Sequence, residues 1–126
     1  MYLFLIIFFY ICNDCYATVT NCNKSSLVKQ QSVSIANVAR GNDVRLNMIL
    51  ISPYKIDDAI ATYNTRYNYL PVYRYTEGVS PISYGLSKRS FAYPIPSYAV
   101  GNIKVEIVWN SPTYGEILCL VVEENV

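Results

Sequence analysis

From Asp43 to Leu50 apolar and polar residues alternate with a period of two: Val44, Leu46, Met48 and Leu50 interleave with Asp43, Arg45 and Asn47. Successive strand residues point to opposite faces, so this spacing predicts a strand with one face to a core and one to solvent. The run before it, SVSIANVA from Ser32 to Ala39, is rich in β-branched residues, and Gly41-Asn42 lies between the two runs, which predicts a hairpin. The same period returns near the C-terminus. After Tyr98-Ala99-Val100 and a Gly101-Asn102 turn, Ile103, Val105, Ile107 and Trp109 face one way while Lys104 and Glu106 face the other. A loop NSPTYG then leads to Glu116–Glu123, where Ile117 to Val122 is apolar at every position, as in a strand covered on both faces. Glu123-Glu124 reads as a solvated chain end.

Between these hairpins the pattern changes. Ser52-Pro53 offers an N-cap and a first-turn proline. Ile56, Ala59, Ile60, Tyr63 and Tyr67 then fall on one helical stripe, with Asp57 and Asp58 at its positive end. This predicts a short helix from about Pro53 to Tyr63. From Tyr67 to Tyr98, Pro71, Pro81, Pro94 and Pro96 forbid any long regular element, leaving Leu70–Tyr75 and Ser90–Tyr93 as the extended pieces. The expected fold class is mostly β: a small antiparallel barrel or sandwich, OB-like, with one short helix.

Met1 to Ile11 is an unbroken apolar run, suited to the core of an export signal and too short to span a bilayer as a helix. Cleavage after Cys15-Tyr16-Ala17 would divide the chain into a 1–17 signal peptide and a single β-rich domain at 18–126. An uncleaved anchor and a buried N-terminal strand are the alternatives. Cleavage removes Cys12 and Cys15 and leaves Cys22 and Cys119, an even pair for an oxidising compartment. A Cys22–Cys119 disulfide is expected, with two buried thiols as the alternative. The protein is therefore expected to be secreted or periplasmic, with no stable membrane insertion after processing.

Composition narrows the chemistry. With 126 residues the chain fits one domain, and 10 basic against 9 acidic side chains give no basic face for nucleic acid. The absence of histidine removes His-dependent triads and the commonest metal ligand. Neighbouring carboxylates such as Asp57-Asp58 diverge on a helix, and Lys88-Arg89 reads as a solvated loop pair without a nucleophile to activate. No catalytic residue, metal or cofactor is expected, and the chain is read as not an enzyme.

The tail AVGNIKVEIVWNSPTYGEILCLVVEE resembles the closing block of small secreted bacterial proteins with the oligomer-binding (OB) barrel of AB5 toxin B subunits. Gly101, Lys104, Val105, Ile107, Gly115, Glu116 and Ile117 carry the match. The resemblance implies an OB barrel, a glycan ligand and a ring-forming homo-oligomer. The group's serine-rich sugar-binding loop has no counterpart here, so no binding residue follows from it.

The candidate site comes from the residues themselves. Tyr63 to Tyr75 packs five tyrosines, two arginines and two asparagines into 13 positions. Tyrosine joins a flat apolar body to a polar tip, and arginine adds donors, which suits stacking on a sugar or gripping a protein. Tyr67, Tyr69, Tyr73 and Tyr75, helped by Arg66 and Arg74, are the expected binding residues; half-buried core tyrosines are the bland alternative. The function expected is a secreted, non-enzymatic binding module, B-subunit-like and glycan-binding. The alternative is a small β-sandwich effector that binds a host or envelope protein.

Overall fold

The computed structural model describes residues 16–36, 43–94 and 100–125. Eight strands run through them: β1 (Tyr16–Asn21), β2 (Lys29–Ala36), β3 (Asp43–Ser52), β4 (Ile60–Tyr67), β5 (Leu70–Gly78), β6 (Gly85–Pro94), β7 (Asn102–Ser111) and β8 (Gly115–Asn125). They form a five-stranded sheet, β1-β8-β7-β4-β5, and a three-stranded sheet, β2-β3-β6, with every neighbouring pair antiparallel. No ladder joins the two sheets among the described residues, so of the two expected forms, barrel or sandwich, the fold is the sandwich, and the OB-like barrel is not formed.

The core is what the alternation predicts. Val44, Leu46, Met48 and Leu50 of β3 pack with Ile103, Val105, Ile107 and Trp109 of β7 and with Leu118, Leu120 and Val122 of β8. Burying a large aliphatic side chain is worth about 1.5–3 kcal/mol, so these alternating positions fix which face of each strand turns inward. Both expected hairpins pair as antiparallel neighbours, β2 with β3 and β7 with β8. The Gly41-Asn42 turn, residues 1–15 of the expected 1–17 signal and Tyr98-Ala99 lie outside the described residues. Strand β1 starts at Tyr16 and pairs Ala17 with Glu124.

The expected helix at Pro53–Tyr63 is absent. Residues 53–59 form a loop tied to Pro81–Ser83 by an isolated bridge, Ile56 to Ile82, and strand β4 begins at Ile60. The period misled because residues four apart share a strand face as well as a helix stripe: Ala59, Tyr63 and Tyr67 satisfy both. Ile60 decides between them, since it is half exposed where the helix stripe would bury it. Ser52 does cap a turn, its Oγ donating to the Tyr54 carbonyl at 2.6 Å.

Asp58 serves the loops instead of a helix end. Its carboxylate accepts hydrogen bonds from Ser111 Oγ at 2.6 Å and Thr113 Oγ1 at 2.7 Å, clamping the β3–β4 loop to the β7–β8 loop. These bonds hold its pKa below the ordinary 3.8, because they favour the charged form. The stabilisation is therefore complete above 3.8 and disappears as pH falls through the lower folded value. Asp58→Asn is expected to lower the urea midpoint at pH 7 by an amount that shrinks toward zero in strong acid. A deficit independent of pH would show that the carboxylate's charge does not matter.

Glu124 departs from the expected solvated end. It is fully buried, on the inner face of β8 opposite Ile103. Strand β8 keeps pairing with β1 and β7 through Asn125, so the alternation that buries Leu118, Leu120 and Val122 carries Glu124 inward too. Glu123 points outward and accepts a hydrogen bond from Asn102 Nδ2 at 3.0 Å.

Cys22 and Cys119 form the expected disulfide, their Cα atoms 5.2 Å apart. Cys22 extends the β1–β8 ladder by one position and donates its N–H to the Cys119 carbonyl. The bond fits an oxidising compartment outside the cytoplasm.

Candidate functional site

Each strand adds about 4.8 Å of sheet width, so three strands facing five leave roughly 10 Å of the wider sheet without cover. The shortfall shows at β5, an edge strand exposed along its whole length. Tyr73 and Tyr75 pair in register with Thr65 and Tyr63, and Tyr63 pairs with the core residue Ile107, so all three tyrosines point to the inner side of the sheet. Yet Tyr73 is 62% and Tyr75 45% exposed. Their rings form a ladder: Tyr63 stacks on Tyr75 at 6.0 Å and Tyr75 on Tyr73 at 6.4 Å.

The ladder ends at an opening between the sheets. A cavity of about 220 Å³ is lined by Met48 and Arg89 of the smaller sheet and by Tyr63, Glu77 and Trp109 of the larger, with Val79 at its rim. Glu77 organises this mouth. It accepts hydrogen bonds from Tyr63 Oη at 2.8 Å and Tyr75 Oη at 3.4 Å. Burial, and then the neighbouring Glu77 carboxylate, push the Tyr63 phenol well above its ordinary pKa, so it remains a neutral donor at any physiological pH. Arg89 donates to the Pro81 carbonyl and holds the β5–β6 loop beside the opening.

Two buried donors near these faces lack partners. The Trp109 indole N–H, on a residue only 4% exposed, has no acceptor among the described residues, and the hydroxyl of inward-facing Ser87 has no partner either. Buried polar groups in native proteins are nearly always satisfied by protein or by water, so both donors are open to a water molecule or to a ligand atom. Met48, Val79 and Trp109 give the lining apolar surface, while Glu77, Arg89, Ser80 and Ser90 give it polar groups. That mixture suits an amphiphile, and no group of three or more metal-ligating side chains occurs among the described residues.

The six residues expected from the sequence are divided by strand alternation. Tyr73 and Tyr75 join the inner ladder, Tyr67 sits half-buried on the same side against Ile103, and Tyr69 occupies the exposed β4–β5 turn. Arg66 and Arg74 pair with Lys104 and Asn64 on the outer face of the same sheet. Arginines and tyrosines close together in sequence thus serve opposite sides. Met48, Trp109, Glu77 and Arg89 were not among the candidates. Arg89 was expected with Lys88 in a solvated loop; instead both lie in β6, where Arg89 and Ser87 take the inward positions while Leu86, Lys88 and Ser90 point out.

No known protein family matches the sequence, and no curated protein sequence is similar to it. Solved structures do match this arrangement of sheets. The chain is similar in fold to chicken MD-1. Its superposition on chicken MD-1 complexed with lipid IVa gives a TM-score of 0.67 at 9% identity, covering 89% of this chain and 90% of that one. A Niemann-Pick type C2 protein from Japanese carpenter ant gives 0.62 at 11% identity, covering 84% of this chain and 96% of that one. The MD-1-like sandwich overturns the AB5 B-subunit resemblance. Gly101, Lys104, Val105, Ile107, Gly115, Glu116 and Ile117 do form a closing hairpin, but the hairpin belongs to an open five-stranded sheet and not a barrel. The expected ring of copies rested on that resemblance and loses its basis with it.

Proposed function

We propose that the protein is a secreted, non-enzymatic binding module for an amphiphile, taking a hydrocarbon tail between its sheets. The observation that carries this reading is the cavity lined by Tyr63 at one end of the Tyr63–Tyr75–Tyr73 ladder, beside the exposed edge strand β5. A tail entering there covers tyrosine faces that folding leaves exposed and reaches Met48 and Trp109, gaining about 25 cal/mol for each Å² of apolar surface removed from water. The polar head stays at the mouth, within reach of Glu77 and Arg89, and the Trp109 N–H offers a bond to an oxygen that enters. The fold shared with a protein crystallised with lipid IVa supports the same class of ligand. With about 220 Å³, below the 300–1,000 Å³ of most small-molecule pockets, the cavity fits one tail end and not a bundle of chains.

Trp109 is the only tryptophan in the chain, so its fluorescence reports the cavity directly. Titration with a long-chain fatty acid is expected to shift or quench that emission saturably. Tyr75→Ala should weaken binding by about 1–2 kcal/mol, a usual loss for an aromatic contact, while leaving the thermal midpoint nearly unchanged because the ring is half exposed. Unchanged emission, together with no bound lipid in native mass spectrometry, would remove this reading. A second ligand class, a sugar stacked on Tyr73 and Tyr75, is favoured only by the exposure of those rings. It predicts competition from soluble oligosaccharides.

A further inference from the structure

A second hollow, of about 410 Å³, opens on the outer face of the five-stranded sheet and reaches the β5 edge, where Tyr73 also lines it. Arg66, Arg74 and Lys104 line it together with Asn64 and Glu106, and Pro71 forms part of its wall. Two ladders bring these groups together: Arg66 lies directly opposite Lys104, Arg74 opposite Asn64, and Asn64 opposite Glu106. Like charges placed directly opposite across strands destabilise a sheet. Here neither Arg66, Arg74 nor Lys104 has a carboxylate within ion-pair distance among the described residues. Glu106, the one acid in the hollow, accepts a hydrogen bond from Asn64 Nδ2 at 3.5 Å. Three cations without an ion pair stand against Glu106 in the hollow and Glu123 directly opposite Lys104 on β8, which leaves a net excess of one positive charge at a concavity of ordinary ligand size.

We propose that this hollow binds a phosphate monoester on a hydroxyl-bearing carrier, either a free sugar phosphate or a phosphorylated lipid head group. Guanidinium forks match a phosphate's oxygens two at a time, and the ammonium of Lys104 adds a point charge beside them. Asn64 and Glu106 accept hydrogen bonds from the carrier's hydroxyls, and Glu106 disfavours ligands that carry charge all round. Binding relieves the like-charge pair Arg66–Lys104. The site is independent of the tail cavity, since the two share no charged residue and lie on opposite faces of one sheet.

The test titrates the whole folded protein, followed by backbone amide NMR shifts, with glucose 6-phosphate and with glucose. Saturable shifts are expected around residues 64–66, 72–74 and 104–106 with the ester and none with glucose. Because Arg66 and Arg74 are exposed, the double variant Arg66→Gln, Arg74→Gln should keep its thermal midpoint and lose at least tenfold in affinity. Flotation with phosphatidylcholine vesicles, with and without phosphatidylinositol 4-phosphate, separates the sources. Vesicle binding that needs the phosphoinositide and both arginines assigns the ester to a lipid head group, whereas shifts with the sugar phosphate alone assign it to a soluble ligand. Binding in neither arm, or binding that survives in the double variant, overturns the proposal. A Trp109 response to fatty acid is expected to be the same in that variant, so failure of one site does not imply failure of the other.

Discussion

Cys22→Ser and Cys119→Ser, singly or together, are expected to produce the largest loss of stability of any change argued for this protein, about 4 kcal/mol and on the order of 15 °C in Tm. The two cysteines are 97 residues apart in sequence, so the bond closes nearly the whole described domain into one loop. Removing it restores to the unfolded chain the conformations that the closed loop denies, a cost that grows with the logarithm of loop length. A local loss adds to this. Strand β1 is an edge strand held only to β8, and the disulfide anchors its end where Cys22 meets the Cys119 carbonyl. Urea denaturation of the parent with and without a reductant provides the check, and the reduced parent should behave like the double variant. A parent insensitive to reductant, or one in which Cys22 and Cys119 themselves label when denatured without it, would contradict the bond.

Gly101→Ala is the second large effect, roughly 3 kcal/mol. Gly101 has φ +105°, a conformation that costs an L-residue about 1–2 kcal/mol. A Cβ there would overlap Oδ1 of Asn68. Asn68 cannot yield without loss, because Oδ1 accepts from the Asn102 N–H at 2.9 Å and Nδ2 donates to the Val100 carbonyl at 3.3 Å. Each hydrogen bond lost adds about 1 kcal/mol. Gly78→Ala is the control, since nothing lies within 4 Å of the position its Cβ would take. Chemical denaturation should place the Gly101 variant far below the Gly78 variant, and equal midpoints would show that the Asn68 contact carries no weight.

That contact also explains why one hairpin escaped notice. The β4–β5 turn uses Asn68 at φ 50° and Tyr69 at φ 71°, positions where glycine is the usual signal and a tyrosine gives none. Asparagine tolerates the left-handed region, and the bonds from Asn68 to the β7 entry hold it there. Without a visible turn, the tyrosine-rich stretch could not be folded back on itself from the sequence. The positions at Ala59, Tyr63 and Tyr67 then fitted a helix as well as a strand.

The sequence by itself determined the strands whose alternation leaves no second choice, Val44 to Leu50 and Ile103 to Trp109. It also determined the covered strand at Ile117–Val122 and the pairing of Cys22 with Cys119. In these segments local pattern and burial agree, because a slip of one residue would turn an entire apolar face to water. Only the tertiary structure decided that three strands would face five, and that consequence made the site. Inward-pointing Tyr73 and Tyr75 stay exposed because no strand among the described residues spans the extra width opposite β5, and Arg66 and Arg74 fall on the other face because β4 and β5 pair in a register no local signal specifies. Sheet width and register arise from contacts between segments far apart in the chain. No window of the sequence contains them.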